Sequence, residues 1–189
     1  MRIISGSLKG RRLKSFNATH IRPTTDRIKE SIFNKWAFDI EGSRILDLFS
    51  GTGNLSFEAY SRSAAYVEAV EISQDSINII KENIKHLEIS NGIKVVKSDV
   101  ATYLKKYKGK PFDLIFIDPP FTKKMAHEVM SVISNSGVWH NETKFVIESS
   151  KQERIEDSYQ NVVLHEKKSY GDKAVSFFKI KDENKESEK

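Results

Sequence analysis

Asp118-Pro119-Pro120-Phe121 ends the apolar run FDLIFIDPPF. Neither proline has a backbone N–H, both have fixed φ, and the residues before them are driven to extended geometry. The segment is therefore stiff and offers acceptors only, the Asp118 carboxylate and the Pro119 carbonyl, beside the flat apolar face of Phe121. Such a site suits a planar ring that carries an NH₂ group. The lone pair of an exocyclic base amine is conjugated with its ring, so catalysis consists mainly of positioning the amine and stabilising the positive charge that develops on it. Stacking on Phe121 would offset the cost of unstacking the base by roughly 1–3 kcal/mol. A carboxylate accepts from both N1–H and N2–H₂ of guanine, whereas adenine presents an acceptor beside its amine. Asp118 therefore leans towards guanine N2.

A second group of residues points to the methyl donor. LDLFSGTGNLS carries Gly51 and Gly53 where a strand turns into a helix, the place where doubly wound sheets bind ligands. Ser56 replaces the third glycine of the dinucleotide fingerprint, and the G-x-x-x-x-G-K-[ST] phosphate loop is absent. An acid ahead of the loop, Asp47, suits a cationic or amine-bearing ligand better than a pyrophosphate. Glu71 closes the next strand, where a carboxylate can accept from ribose hydroxyls. Asp99 closes the third and could receive an adenine amine. A lone G-x-G is often only a tight turn, and an acid at a strand end often only caps the next helix. Three acids on successive strand ends beside one glycine loop point instead to S-adenosylmethionine, with no metal required.

The elements that must position these residues alternate. RILDLF, YVEAVE, GIKVVKSD, FDLIFID and KFVIESS read as strands, separated by the helical stretches LSFEAYSRSA, SQDSINIIKENIKHLEI, VATYLKKY and MAHEVMSVISNSGVW. Apolar strands alternating with helices predict a parallel α/β sheet covered on both faces. NVVLHEKKSYGDKAVSFFKI reads as an antiparallel hairpin on the sheet edge, making seven mostly parallel strands; Tyr170 and Gly171 at its turn are expected to overhang the site. Ahead of the sheet, Ile28, Ile32, Phe33 and Trp36 share one helical face, and this first helix, capped by Thr24 or Thr25, is expected to pack on the sheet's edge. IISGSLKGRRLKS reads as a small hairpin or arm. The expected organisation is a basic arm over residues 1–20, a methyl-transfer domain over 21–180 and a disordered charged tail over 181–189.

The chain of 189 residues, 38% hydrophobic, can build one core. It has no apolar run long enough to span a bilayer and no signal-peptide pattern at its start, so a cytoplasmic location is expected. The absence of cysteine excludes disulfides, cysteine-ligated zinc and thiolate attack on pyrimidine C6. The net charge is +5, and residues 1–14 hold Arg2, Lys9, Arg11, Arg12 and Lys14 without an acid. That pattern favours a nucleic-acid partner over a merely solubilising arm.

RPTTDRIKESIFN, DLFSGTGNLSFEAYSRSA and IDPPF, in this order, closely resemble the RsmD family of bacterial guanine-N2 methyltransferases acting on 16S ribosomal RNA, and the resemblance extends over about residues 1 to 180. DPPF-type motifs occur in many amino-methyltransferases; the R-P-T-x-D-R segment is the more specific mark. The resemblance implies a Rossmann-like class I methyltransferase fold, S-adenosylmethionine as cofactor, and a guanine of 16S RNA presented in small-subunit particles. It carries Asp118, Pro119 and Phe121 over as base holder and Gly51, Gly53, Glu71 and Asp99 as cofactor wall. Arg11, Arg12, Arg22, Lys123 and Lys124 are the candidate RNA contacts. Arg22 and Arg27 could equally clamp the cofactor carboxylate, contact RNA phosphate, or pair with Asp26 or Glu30. A monomer is expected. The alternatives are a DNA adenine-N6 methyltransferase, for which little chain remains to read a sequence, a protein-amide methyltransferase, which favours Asn at the position of Asp118, and a non-catalytic assembly factor, against which the intact DPPF argues.

Overall fold

A computed structural model of the chain describes residues 1–16, 26–120 and 125–181. Seven strands form one sheet: β1 (Arg44–Leu48), β2 (Tyr66–Glu71), β3 (Ile93–Lys97), β4 (Phe112–Ile117), β5 (Trp139–Ser150), β6 (Val162–Tyr170) and β7 (Lys173–Ile180). Their spatial order is β3-β2-β1-β4-β5-β7-β6. The first five run parallel, and β7 and β6 are added antiparallel at the β5 side. The mostly parallel sheet with a C-terminal antiparallel hairpin is the architecture the sequence predicts. β5 starts earlier than expected, with Trp139 paired to Phe112.

The period-2 alternation of the strands distributes five helices over two faces. Leu46 and Leu48 of β1 and Ile115 and Ile117 of β4 face α4 (Val100–Lys106) and α5 (Ala126–Ile133). On the other face, Ile45, Leu114, Phe116, Val146 and Phe177 meet α1 (Asp26–Lys35) and α2 (Asn54–Ser61). Helix α3 (Gln74–His86) packs on the β2–β3 side through Ile80, next to Phe57. The expectation for α1 needs correction. Ile28, Ile32, Phe33 and Trp36 do share one face, but that face lies over the middle of the sheet, with Trp36 stacked on Phe116 at 5.7 Å. The helix supplies the cover that β1, β4, β5 and β7 require there.

The N-terminal arm is hairpin-like, closed by the Ile3–Arg11 and Ile3–Gly10 backbone bonds, and it is anchored. Glu58 of α2 accepts from the amides of Ile4 (2.8 Å) and Ser5 (3.0 Å), and the Ser7 amide donates to Ser61 O. At Gly6, which has φ of 81°, an added Cβ would lie 1.7 Å from Ser61 O; only glycine allows the arm to lie so close to the helix. The segment 17–25, the residues 121–124 and the charged tail 182–189 fall outside the described residues, and with them Arg22, Thr24, Thr25, Phe121, Lys123 and Lys124.

Candidate active site at the carboxyl edge of the sheet

In a parallel sheet every strand delivers its C-terminal residue to the same edge. Here β1 lies between β2 and β4, so the glycine loop that leaves β1 is flanked by the end of β2 on one side and by Asp118-Pro119 on the other. Backbone bonds tie this rim together: Ser50 N–H to Val70 O at 3.0 Å, Ser98 N–H to Glu71 O at 3.1 Å, and Asp118 N–H to Leu48 O at 3.5 Å. The four expected regions thus meet on one rim.

The loop itself alternates left-handed residues: Phe49 at φ 62°, Gly51 at 54° and Gly53 at 85°. Phe49 pays a backbone cost of about 1–3 kcal/mol that strained functional loops often carry. Gly53 is the N-cap of α2, and a Cβ on it would meet Phe57 Cε2 at 2.7 Å. Around Gly51, by contrast, an added Cβ would have only Phe49 O at 4.0 Å, so the outer side of the loop leaves room for a ligand.

Glu71 organises the loop. Its Oε2 accepts the Gly51 N–H at 2.8 Å, and its Oε1 accepts the amides of Ile72 (2.9 Å) and Ser73 (2.8 Å). Oε2 keeps one acceptor site for a further donor. Ile72 beside it is 64% exposed, an unusual state for a large apolar residue at a strand end. The sequence offered only a weak signal for it, one apolar residue between an acid and the polar run SQD.

Asp47 is buried beneath the loop, on the α2 face of β1, and its Oδ2 accepts from Ser56 Oγ at 2.5 Å. Burial pushes its carboxyl up to about 7, against the lowering effect of the Ser56 bonds. Ser56, which spoils the dinucleotide fingerprint, is therefore the partner of Asp47. Asp99 is exposed and caps α4, accepting the Thr102 N–H at 2.8 Å, a bond that holds its carboxyl below the usual range. Asp118 is half-buried, Pro119 buried and Pro120 exposed.

The basic residues separate into two places. Arg11 and Arg12 are exposed on the arm, where Arg11 Nη2 donates to His86 O at 3.0 Å at the end of α3. Arg27 lies over the Tyr170 ring at 5.8 Å, and Tyr170 donates to Ser31 Oγ of α1. The β6–β7 turn therefore reaches the level of the rim, but its tyrosine turns to α1 instead of over the glycine loop. Among the described residues no group of three or more His, Asp or Glu could hold a metal ion, and no helix is long and apolar enough to cross a membrane.

A glycine loop after β1, an acid ending β2, an acid-proline turn ending β4 and an antiparallel β6–β7 pair define a Rossmann-like class I methyltransferase fold. The solved structure of yhhF from Escherichia coli superposes with a TM-score of 0.85 and 29% identity, over 97% of this chain and 99% of that one. Residues 1–179 match the family described as Conserved hypothetical protein 95, and the chain belongs to that family. Ribosomal RNA small subunit methyltransferase D of Buchnera aphidicola is 38% identical over 81% of this chain and 80% of its own length. The Escherichia coli protein of the same name is 32% identical over 94% and 89%. The RsmD resemblance carried by RPTTDR, SGTG and IDPPF is borne out.

Proposed function

We propose that the protein transfers a methyl group from S-adenosylmethionine to the exocyclic N2 of a guanine in small-subunit (16S) ribosomal RNA, in the cytoplasm and on assembled or assembling particles. The observation that carries this reading is the position of β1 between β2 and β4, with a donor-side acid, Glu71, and a base-side acid, Asp118, flanking one glycine loop. The relatives named as small-subunit rRNA methyltransferases supply the substrate class.

The residues fit the cofactor. The open side of Gly51 admits a close approach, the spare acceptor site of Glu71 Oε2 suits a ribose hydroxyl, and exposed Ile72 offers an apolar face to the adenine. Asp99 caps α4 through Oδ1 and is exposed at the rim, where its carboxylate can also receive the adenine amine. Asp47, under the loop, is the acid suited to a cationic end group. When bound, the cofactor supplies a sulfonium-activated methyl carbon. The chain's task is to orient the acceptor. Asp118 and the Pro119 carbonyl accept the amine hydrogens of the guanine, direct its lone pair and stabilise the positive charge that grows on nitrogen. The proton released on transfer leaves along the hydrogen bond to Asp118. Phe121 stacks on the extruded base, and Arg11, Arg12, Arg22, Lys123 and Lys124 meet phosphate. As a monomer the chain contains every residue this scheme uses.

The test is transfer of labelled methyl to small subunits from cells lacking this gene, to naked 16S RNA and to plasmid DNA, followed by digestion to nucleosides. N2-methylguanosine from subunits is the expected product. N6-methyladenine from DNA would overturn the guanine reading while leaving the methyl-transfer site intact.

A further inference from the structure

A cleft of about 680 Å³ lies on the α4 face of the sheet, along the exposed β3 edge. It belongs neither to the glycine loop nor to the arm, whose apolar residues pack on the opposite face with Phe57 and Ile80. Six cations line it: Arg44, Lys94, Lys97, Lys106, Lys108 and Lys110. A single carboxylate, Glu68, stands against them. Its surplus of five positive charges equals the net charge of the whole chain.

That carboxylate is already engaged. Glu68 is buried and accepts from Tyr66 Oη (2.5 Å), Tyr103 Oη (3.0 Å) and Lys94 Nζ (3.2 Å). Lys97 donates to a neutral partner, Gln74. Lys106, Lys108 and Lys110 are exposed, and among the described residues no carboxylate lies within salt-bridge distance of them. Complementing the helix dipole accounts for Lys105 and Lys106 in the last turn of α4, but not for Lys94, Lys108 or Lys110 on other elements. Aromatic faces are interleaved with these charges. Tyr66 and Tyr107 are half-buried in the wall, and the Arg44 guanidinium lies over Tyr66 at 4.3 Å and over Phe112 at 5.3 Å. A positive groove with aromatic platforms is how proteins track a nucleic-acid backbone without reading its sequence. The groove runs from the amino edge of the sheet, at Arg44, Tyr66, Lys108 and Lys110, up to Lys97 and Ser98, next to Asp99 on the rim of the active site.

We infer that this cleft is a second RNA-docking surface, which grips the phosphate backbone of the substrate on the face of the sheet opposite the arm. The inference rests on the RNA reading given above. The arm and the cleft then hold the RNA on the two faces of the sheet, away from the reacting base, and the lysines of the cleft contribute to capture of the particle rather than to methyl transfer.

The triple variant Lys106→Gln/Lys108→Gln/Lys110→Gln tests it. These side chains are exposed, so the fold persists, and an unchanged S-adenosylmethionine affinity will verify that. Binding to undermethylated small subunits and to naked 16S RNA is measured between 50 and 300 mM salt, together with steady-state transfer. The expected result is a rise of about tenfold or more in KM for the particle, with kcat held within about twofold. The slope of log affinity against log salt should fall by about two to three, because each lost phosphate contact removes roughly 0.7–0.9. Wild-type KM and slope in the variant would overturn the inference. Loss of particle binding with unchanged naked-RNA binding would also overturn it, since the cleft would then meet a ribosomal protein. If the wild-type protein methylates nothing but the salt slope still drops in the variant, the methyl-transfer reading fails and the docking surface stands.

Discussion

Glu71 Oε2 accepts the Gly51 amide at 2.8 Å, so the acid that ends β2 holds the loop that ends β1. The same carboxylate takes the amides of Ile72 and Ser73 through Oε1. One side chain therefore sets the relative position of the two strand ends on which the proposed cofactor site is built.

Replacing Glu71 by alanine should weaken S-adenosylmethionine binding by about 10- to 100-fold, as the loop loses its anchor and the ribose its acceptor. Three amides lose their acceptor, but none is fully buried and water can replace the carboxylate; the loss should stay within about 1–3 kcal/mol, so the fold should survive with a modest drop in Tm. Titration calorimetry of the variant checks this. Wild-type affinity would remove Glu71 from the cofactor wall.

Asp118→Ala should act on the chemical step. Loss of one preorganised group facing developing charge costs about 10²–10³ in rate, and Asp118→Asn should fall between alanine and wild type. Cofactor affinity should stay within about threefold of wild type in both. Single-turnover transfer on undermethylated subunits separates the effects, and a rate near wild type in Asp118→Ala would refute the assignment of the base holder.

Lys29 is fully buried and donates to Arg2 O at 2.6 Å and Asn54 Oδ1 at 3.0 Å, while pairing with Glu58 at 3.3 Å. Burial lowers its pKa, opposed by the Glu58 charge. It joins the arm, α1 and the first residue of α2 at a single ammonium. Lys29→Met should cost about 3 kcal/mol, as breaking a buried pair does, and lower Tm by roughly 6–12 °C. The arm should become the first site of tryptic cleavage, at Lys9, Arg11 or Arg12. An arm as resistant as in wild type would mean that Glu58 alone secures it.

Asp47 predicts a pH dependence of stability. Its carboxyl titrates near 7 in the fold and near 3.9 when unfolded. Between those values the folded chain binds the extra proton, so stability is highest at the low end and falls as pH rises through about 4 to 7. Asp47→Asn removes the titration and should abolish this loss, on the order of 4 kcal/mol across the window. Urea unfolding of the cofactor-free proteins at pH 5 and pH 8 checks it. A wild-type-to-variant difference that does not change with pH would mean that Asp47 is ionised in the fold.

Much of the site was legible because it depends on strand ends. Glu71, Asp99 and Asp118 are each identified by a change from apolar run to turn, and Asp47 as the acid within the apolar strand ahead of the glycine loop; a parallel sheet sends all such strand ends to one edge. The roles were less legible. Asp99 caps α4 as well as standing on the rim, and Asp47 lies under Ser56, because a carboxylate at a strand end can be satisfied by the next helix.

The amino-acid sequence by itself determined the element order, the parallel sheet with its C-terminal hairpin and the rim that collects the glycine loop and the acids. These follow from local periodicity and from turn chemistry at named residues. Only the tertiary structure decided that α1 covers the centre of the sheet, that Lys29 and Glu58 clasp the arm to α2, and that Arg44, Tyr66, Lys94 and Lys106 to Lys110 line one cleft. Those juxtapositions depend on which strand neighbours which and which face each helix takes. Periodicity specifies that a face is buried, but not what it is buried against.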